Sequence, residues 1–67
     1  MMASYYVEDS TGNKFCYTIA DADYEKQFRE HARWWMRTGW RHTAKAVRAE
    51  GHWHRIPVGP FKVVVEP

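Results

Sequence analysis

Apolar and polar positions along this chain change period twice. Residues 4–8 (Ser-Tyr-Tyr-Val-Glu) and 14–20 (Lys-Phe-Cys-Tyr-Thr-Ile-Ala) are rich in β-formers and flank the turn-forming cluster Asp9-Ser10-Thr11-Gly12-Asn13. This predicts a β-hairpin. Simple alternation places Phe15, Tyr17 and Ile19 on one face of the second strand, with Tyr5 and Val7 across from them. The period then lengthens. Tyr24, Phe28, His31, Ala32, Trp35 and Gly39 fall at i, i+4, i+7, i+8, i+11 and i+15, the spacing of one helical face. Asp21 suits the N-cap, and Asp23 and Glu25 put negative charge in the first turn, where the helix dipole favours it. Gly39 reads as the left-handed residue that ends this helix, with Thr38 as C-cap and Trp40 folding back onto Trp35 in a Schellman ending.

Residues 43–51 (Thr-Ala-Lys-Ala-Val-Arg-Ala-Glu-Gly) fit two patterns. Their alanines and terminal glycine suit a short capped helix. They also suit a strand entering a Glu50-Gly51 turn, with residues 52–56 returning as the next strand. We favour the strand, because a two-stranded hairpin needs more sheet to be stable. Pro57-Val58-Gly59-Pro60 reads as a turn and residues 61–66 as a β-branched final strand. The order is then ββαβββ or ββαββ: one α+β domain over residues 1–67, an antiparallel sheet packed against one helix.

Composition sharpens this picture. Leucine is absent, so the core must come from eleven aromatics, six valines, two isoleucines, alanines and a few methionines. Each large ring buries roughly 150–250 Å², enough for a handful to hold a small domain. Such a core leaves little interior room for an enclosed active site. The single cysteine, Cys16, excludes an internal disulfide and fits a reducing compartment. The first residues lack a signal-peptide pattern, and the longest aliphatic run, Val63 to Val65, is far too short for a membrane span. A cytoplasmic protein with no membrane partner is the expectation.

Candidate catalytic chemistry is sparse. Ser4 and Ser10 stand in a strand start and a turn, outside any nucleophile elbow, and Cys16 lies in mid-strand. Asp21 and Asp23 are accounted for by helix capping, and no glycine-rich loop leads from a strand into a helix. No enzyme activity, catalytic residue or cofactor is expected. His52 and His54, two apart on a strand, would share a face, with Cys16 or His42 as further donors. A metal needs three or four ligands, and no second cysteine or paired carboxylate supplies them. No metal site is expected.

Charge is the informative feature. Residues 1–25 carry Lys14 against Glu8, Asp9, Asp21, Asp23 and Glu25, a balance of −4. Residues 26–55 carry Lys26, Arg29, Arg33, Arg37, Arg41, Lys45, Arg48 and Arg55 against Glu30 and Glu50, a balance of +6, with all four tryptophans and all four histidines. The helical face opposite the core reads Lys26, Arg29, Glu30, Arg33, Arg37, with Trp34 and Met36 on its two flanks. Glu25–Arg29 and Lys26–Glu30 are ordinary i, i+4 pairs, but Arg33, Arg37 and Arg41 find only Glu30 nearby. Arginine and tryptophan lead the residue types that carry binding energy at interfaces. Arg29, Arg33, Trp34, Arg37 and Arg41 are therefore the candidate partner-binding residues.

Two partners fit this face. One is a larger protein or ribonucleoprotein assembly with an acidic surface. The other is nucleic acid, with arginines on phosphates and Trp34 or Trp40 on bases. The modest overall charge of +2 favours the protein, and a homodimer stays open as an assembly state. In size and in its hairpin–helix–strands order the chain resembles small anti-defence inhibitors of phages and other mobile elements, including certain anti-CRISPR proteins. The resemblance is architectural, spans the whole chain and rests on no shared motif. It implies an accessory protein that acts by docking.

Overall fold

The computed structural model describes residues 1–67, the side chain of His54 excepted. Three antiparallel strands form one sheet: β1 (Met2–Glu8), β2 (Lys14–Asp21) and β3 (Lys62–Glu66), in the order β2-β1-β3. The hairpin, the final strand and the α+β class are as the sequence predicts. The central strand, β1, turns Ala3, Tyr5 and Val7 toward the helix, and all three are buried. Tyr5 meets Tyr24 edge-on at 5.5 Å and Phe28 at 5.4 Å, and its hydroxyl donates to the Asp21 carbonyl.

Simple alternation fails in β2. The ladder steps from Tyr5 opposite Thr18 to Val7 opposite Phe15, so Cys16 and Tyr17 together face Tyr6. Cys16 has φ 59°, the left-handed region. This β-bulge inserts one residue and reverses the facing of everything beyond it. Phe15 therefore points into the core, while Tyr17 and Ile19 lie on the opposite, open face of the sheet, 55% and 59% exposed. On that face Tyr17 stacks on Tyr6 at 5.9 Å and Lys14 stands 4.7 Å above the Tyr6 ring. The Tyr6 hydroxyl donates to Glu66 at 2.7 Å. That bond, followed by burial, pushes the Tyr6 phenol up to about 12.

The helix does not stop at Gly39. After a single 3-10 turn (Ala22–Tyr24), α1 (Glu25–Trp34) continues through a π-helical segment (Trp35–Gly39) into α2 (Trp40–Ala49). Asp21 occupies the cap position of the 3-10 turn but makes no capping bond; its carboxylate accepts instead from the Met1 amino group at 3.4 Å. In the π segment the Trp40 N–H bonds the Trp35 carbonyl, five residues back. Thr38 and Thr43 hydroxyls donate to the Trp34 and Gly39 carbonyls, at 3.0 and 3.1 Å, and so satisfy carbonyls at both ends of the widened turn.

Gly39 has helical angles, φ −65° and ψ −35°, so its role is space rather than a reversal. A Cβ there would sit 2.7 Å from Cδ1 and 3.1 Å from Cγ of Trp35. Gly39→Ala is accordingly expected to destabilise the fold by about 1–2 kcal/mol in urea denaturation, since overpacking against a fixed ring outweighs the helix propensity of alanine. An unchanged urea midpoint would show that Trp35 can shift freely.

The strands expected over residues 43–50 and 52–56 are not formed: the first region is α2 and residues 53–55 form a 3-10 turn (Trp53–Arg55). The Schellman ending occurs at Gly51, φ 81°, where the His52 N–H bonds the Val47 carbonyl at 2.9 Å and the Gly51 N–H bonds Arg48 at 3.1 Å. The helical reading of 43–51 is the correct one. From Glu25 to Ala49 the helix measures about 37 Å at ~1.5 Å per residue, close to the long dimension of the 38 × 19 × 18 Å molecule. Seven- and eight-residue strands span only about 23–27 Å, so α2 overhangs the sheet. Ala44 is its one buried residue.

Trp35 closes the core beneath this overhang. It is 7% exposed, stacked on Phe15 at 5.3 Å and edge-on to Phe61 at 5.4 Å, and Phe61 in turn meets Trp40 at 6.0 Å. The loop leading into β3 is tied to the hairpin turn by Asp9. This carboxylate, 4% exposed, accepts bonds from the Thr11 N–H and hydroxyl, the Asn13 N–H and amide, and the Val58 N–H, all at 2.8–3.3 Å. Reciprocally, the Ser10 N–H bonds the Val58 carbonyl at 2.8 Å.

Candidate functional site

The long helix carries the basic face. Arg29, Arg33, Arg37 and Arg41 are all exposed, and Trp34 is 54% exposed on the flank of the same surface. Arg29 is engaged, its Nε donating to Glu25 at 3.0 Å. The other anticipated pair, Lys26–Glu30, is not closed. Arg33 and Arg37 have no carboxylate within 4.0 Å among the described residues, and Arg41 rests its guanidinium 5.8 Å from the Trp40 ring. Trp34 is supported by His31, whose ring stacks on it at 6.4 Å and 26°. His31, placed by its spacing on the core face, is exposed instead.

Because α2 is helical, the face is longer than the sequence pattern indicated. Lys45 and Arg48 are exposed on α2 and free of ion pairs among the described residues. In a regular α-helix, residues spaced by four drift about 40° per step, so Arg33 and Lys45 would stand about 120° apart. A π turn absorbs about one extra residue and returns most of that drift. Arg33, Arg37, Arg41 and Lys45 are thereby held close to one line, with Arg48 beside it, over about 20 Å of helix. Trp34, Thr38 and His42 flank this line on one side. The strand reading hid Lys45 and Arg48; their i, i+4 and i+7 spacing from Arg41 and the alanines between them were the available signal.

Among the described residues no three His, Cys, Asp or Glu side chains cluster; the side chain of His54, weighed with His52 as a donor pair, lies outside the described ones. His52 stands 3.8 Å from Glu50. Burial pushes the Cys16 thiol up, away from the reactive thiolate. Asp9 borders an open cleft of about 410 Å³ that also touches Glu8, Gly12 and Phe61. Burial alone would raise its carboxyl, but the bonds from Thr11, Val58 and Asn13 outweigh this and hold it below the usual aspartate value. All of its capacity serves the turn. Among the described residues no helix is long and apolar enough to cross a membrane.

No protein-family model, curated protein or solved structure matches this chain.

Proposed function

We propose that this chain is a small, non-enzymatic protein-binding module that docks through the long helix, in the manner of an anti-defence inhibitor or other accessory protein of a phage or mobile element. The observation that carries the reading is the line of cations Arg33, Arg37, Lys45 and Arg48, free of ion pairs among the described residues, beside a half-exposed Trp34. A solvated helix face ordinarily intersperses both signs, and an exposed indole costs solubility without a partner to cover it. The acidic first third and the overall charge of +2 favour an acidic protein surface, including that of a ribonucleoprotein assembly, over a general nucleic-acid contact. The lone cysteine is compatible with work in the cytoplasm.

A second reading, nucleic acid itself, is favoured by one feature: the cations extend about 20 Å along one continuous helical run, a spacing that suits the regular charge of a phosphate backbone. Salt separates the two. Five phosphate contacts give log K falling with log salt at a slope of roughly −4 to −5 on duplex, whereas a protein contact anchored by Trp34 falls less steeply. Capture from lysate with and without nuclease identifies the partner class. The double variant Arg33→Glu, Arg37→Glu should keep the wild-type melting temperature, both side chains being solvent-facing, and lose binding by at least a hundredfold. Full retention of binding would make the face a solvated surface with no docking role.

A further inference from the structure

The sheet has two edges, and they are treated differently. The β2 edge is broken by the bulge at Cys16, which twists a strand and spoils it as a template. The β3 edge is regular. Its five residues, Lys-Val-Val-Val-Glu, pair in unbroken register with β1, from Ser4 opposite Glu66 to Glu8 opposite Lys62, and no described strand covers their other side. A row of backbone donors and acceptors is left unpaired there, on a segment of three β-branched residues.

We infer that β3 pairs with β3 of a second copy of this chain, antiparallel and centred on Val64, to form a six-stranded sheet. The occupant follows from charge. About a two-fold axis at Val64, Lys62 falls opposite Glu66 of the second copy and Glu66 opposite its Lys62, while Val63 meets Val65. A parallel pairing sets like charges together instead. The row across the existing sheet already alternates in sign: Lys14 on β2, Glu8 on β1, Lys62 on β3, with Glu8 and Lys62 in an ion pair at 3.2 Å. Glu66 of the second copy continues that alternation. On the same open face Tyr17, Tyr6 and Val64 line up across one sheet, and the two-fold axis extends them into one apolar stripe with their counterparts. This contact uses none of the helix face proposed for docking and stands or falls separately from it.

Sedimentation equilibrium tests the pairing. The 8.0 kDa chain should show reversible self-association to twice that mass. Lys62→Glu and Glu66→Lys each set two like-charge pairs across the axis, and each should weaken self-association roughly tenfold or more. Mixed in equal amounts the two variants are complementary at both positions, and the dimer should return as a heterodimer. Circular dichroism establishes that each variant is folded; should one unfold, Val64→Lys, on the half-exposed open face, sets two like charges at the axis and must likewise weaken the dimer. A wild-type chain that stays monomeric at its highest soluble concentration overturns the inference. So does a dimer indifferent to these substitutions, or a mixture that fails to recover it.

Discussion

Trp35→Ala is expected to leave a chain that is mostly unfolded at room temperature. Truncating a buried tryptophan costs about 3–5 kcal/mol through lost contacts and the cavity left behind. A domain of 67 residues has only about 3–10 kcal/mol in total at ~0.05–0.15 kcal/mol per residue. The position leaves little scope for collapse. Trp35 is stacked on Phe15 from β2, set edge-on against Phe61 before β3, and pressed close to Gly39 of its own helix. Removing the indole therefore loosens both edges of the sheet and the π segment at once. Trp35→Phe, which keeps a ring, should retain a cooperative urea transition with a lowered midpoint. A Trp35→Ala chain with an unchanged midpoint would mean that the helix–sheet interface is held elsewhere.

The second large effect lies at Asp9. Asp9→Ala strands the Thr11, Asn13 and Val58 N–H groups beneath the turn and is expected to cost about 3 kcal/mol or more, because bonds to a charged acceptor are among the strongest in the fold. The acid limb of the stability curve reports the same group. The Asp9 carboxyl is lower in the folded chain than its ordinary value of 3.8, the donated bonds outweighing burial. Its contribution is complete above that ordinary value and is lost as pH falls through the lowered folded value. Urea midpoints of the wild type should accordingly hold from neutral pH down to about 4 and then fall, while Asp9→Asn, less stable at neutral pH, should show a shallower acid limb. Parallel limbs for the two proteins would assign the acid sensitivity to other carboxylates.

The hairpin, the helix start and the final strand were legible because alternation and the 3.6 period act locally. What was lost is what local pattern cannot encode. The facing of Tyr17 and Ile19 turned on one left-handed residue, Cys16, of a type that seldom adopts that conformation. A glycine after an apolar helical face usually ends a helix; Gly39 continues one because the neighbouring Trp35 ring needs the room, which is a tertiary fact. Once Gly39 is taken as a stop, nothing local favours extending the helix, and residues 43–50 fit a strand as well as a helix. The Schellman ending expected at Gly39 is not formed there; a different one, at Gly51, closes the helix. Of the candidate residues, Arg33, Trp34, Arg37 and Arg41 are exposed on one helical run with Lys45 and Arg48 beyond them, and Arg29 is paired with Glu25.

The overhang of α2 has a dynamic consequence. With Ala44 as its one buried side chain, α2 is held chiefly by the Trp40–Phe61 contact, the 3-10 turn and the Schellman ending. Its amides are expected to exchange by local fraying at a small free energy, whereas those of β1, paired on both sides, should exchange only through opening of the whole domain, a contrast that hydrogen exchange would read directly. On this expectation the end carrying Arg33 and Trp34 is the rigid one and the end carrying Lys45 and Arg48 the compliant one. A ligand that grips both must hold the compliant end closed, and its apparent affinity is reduced by the fraction of time that end is frayed.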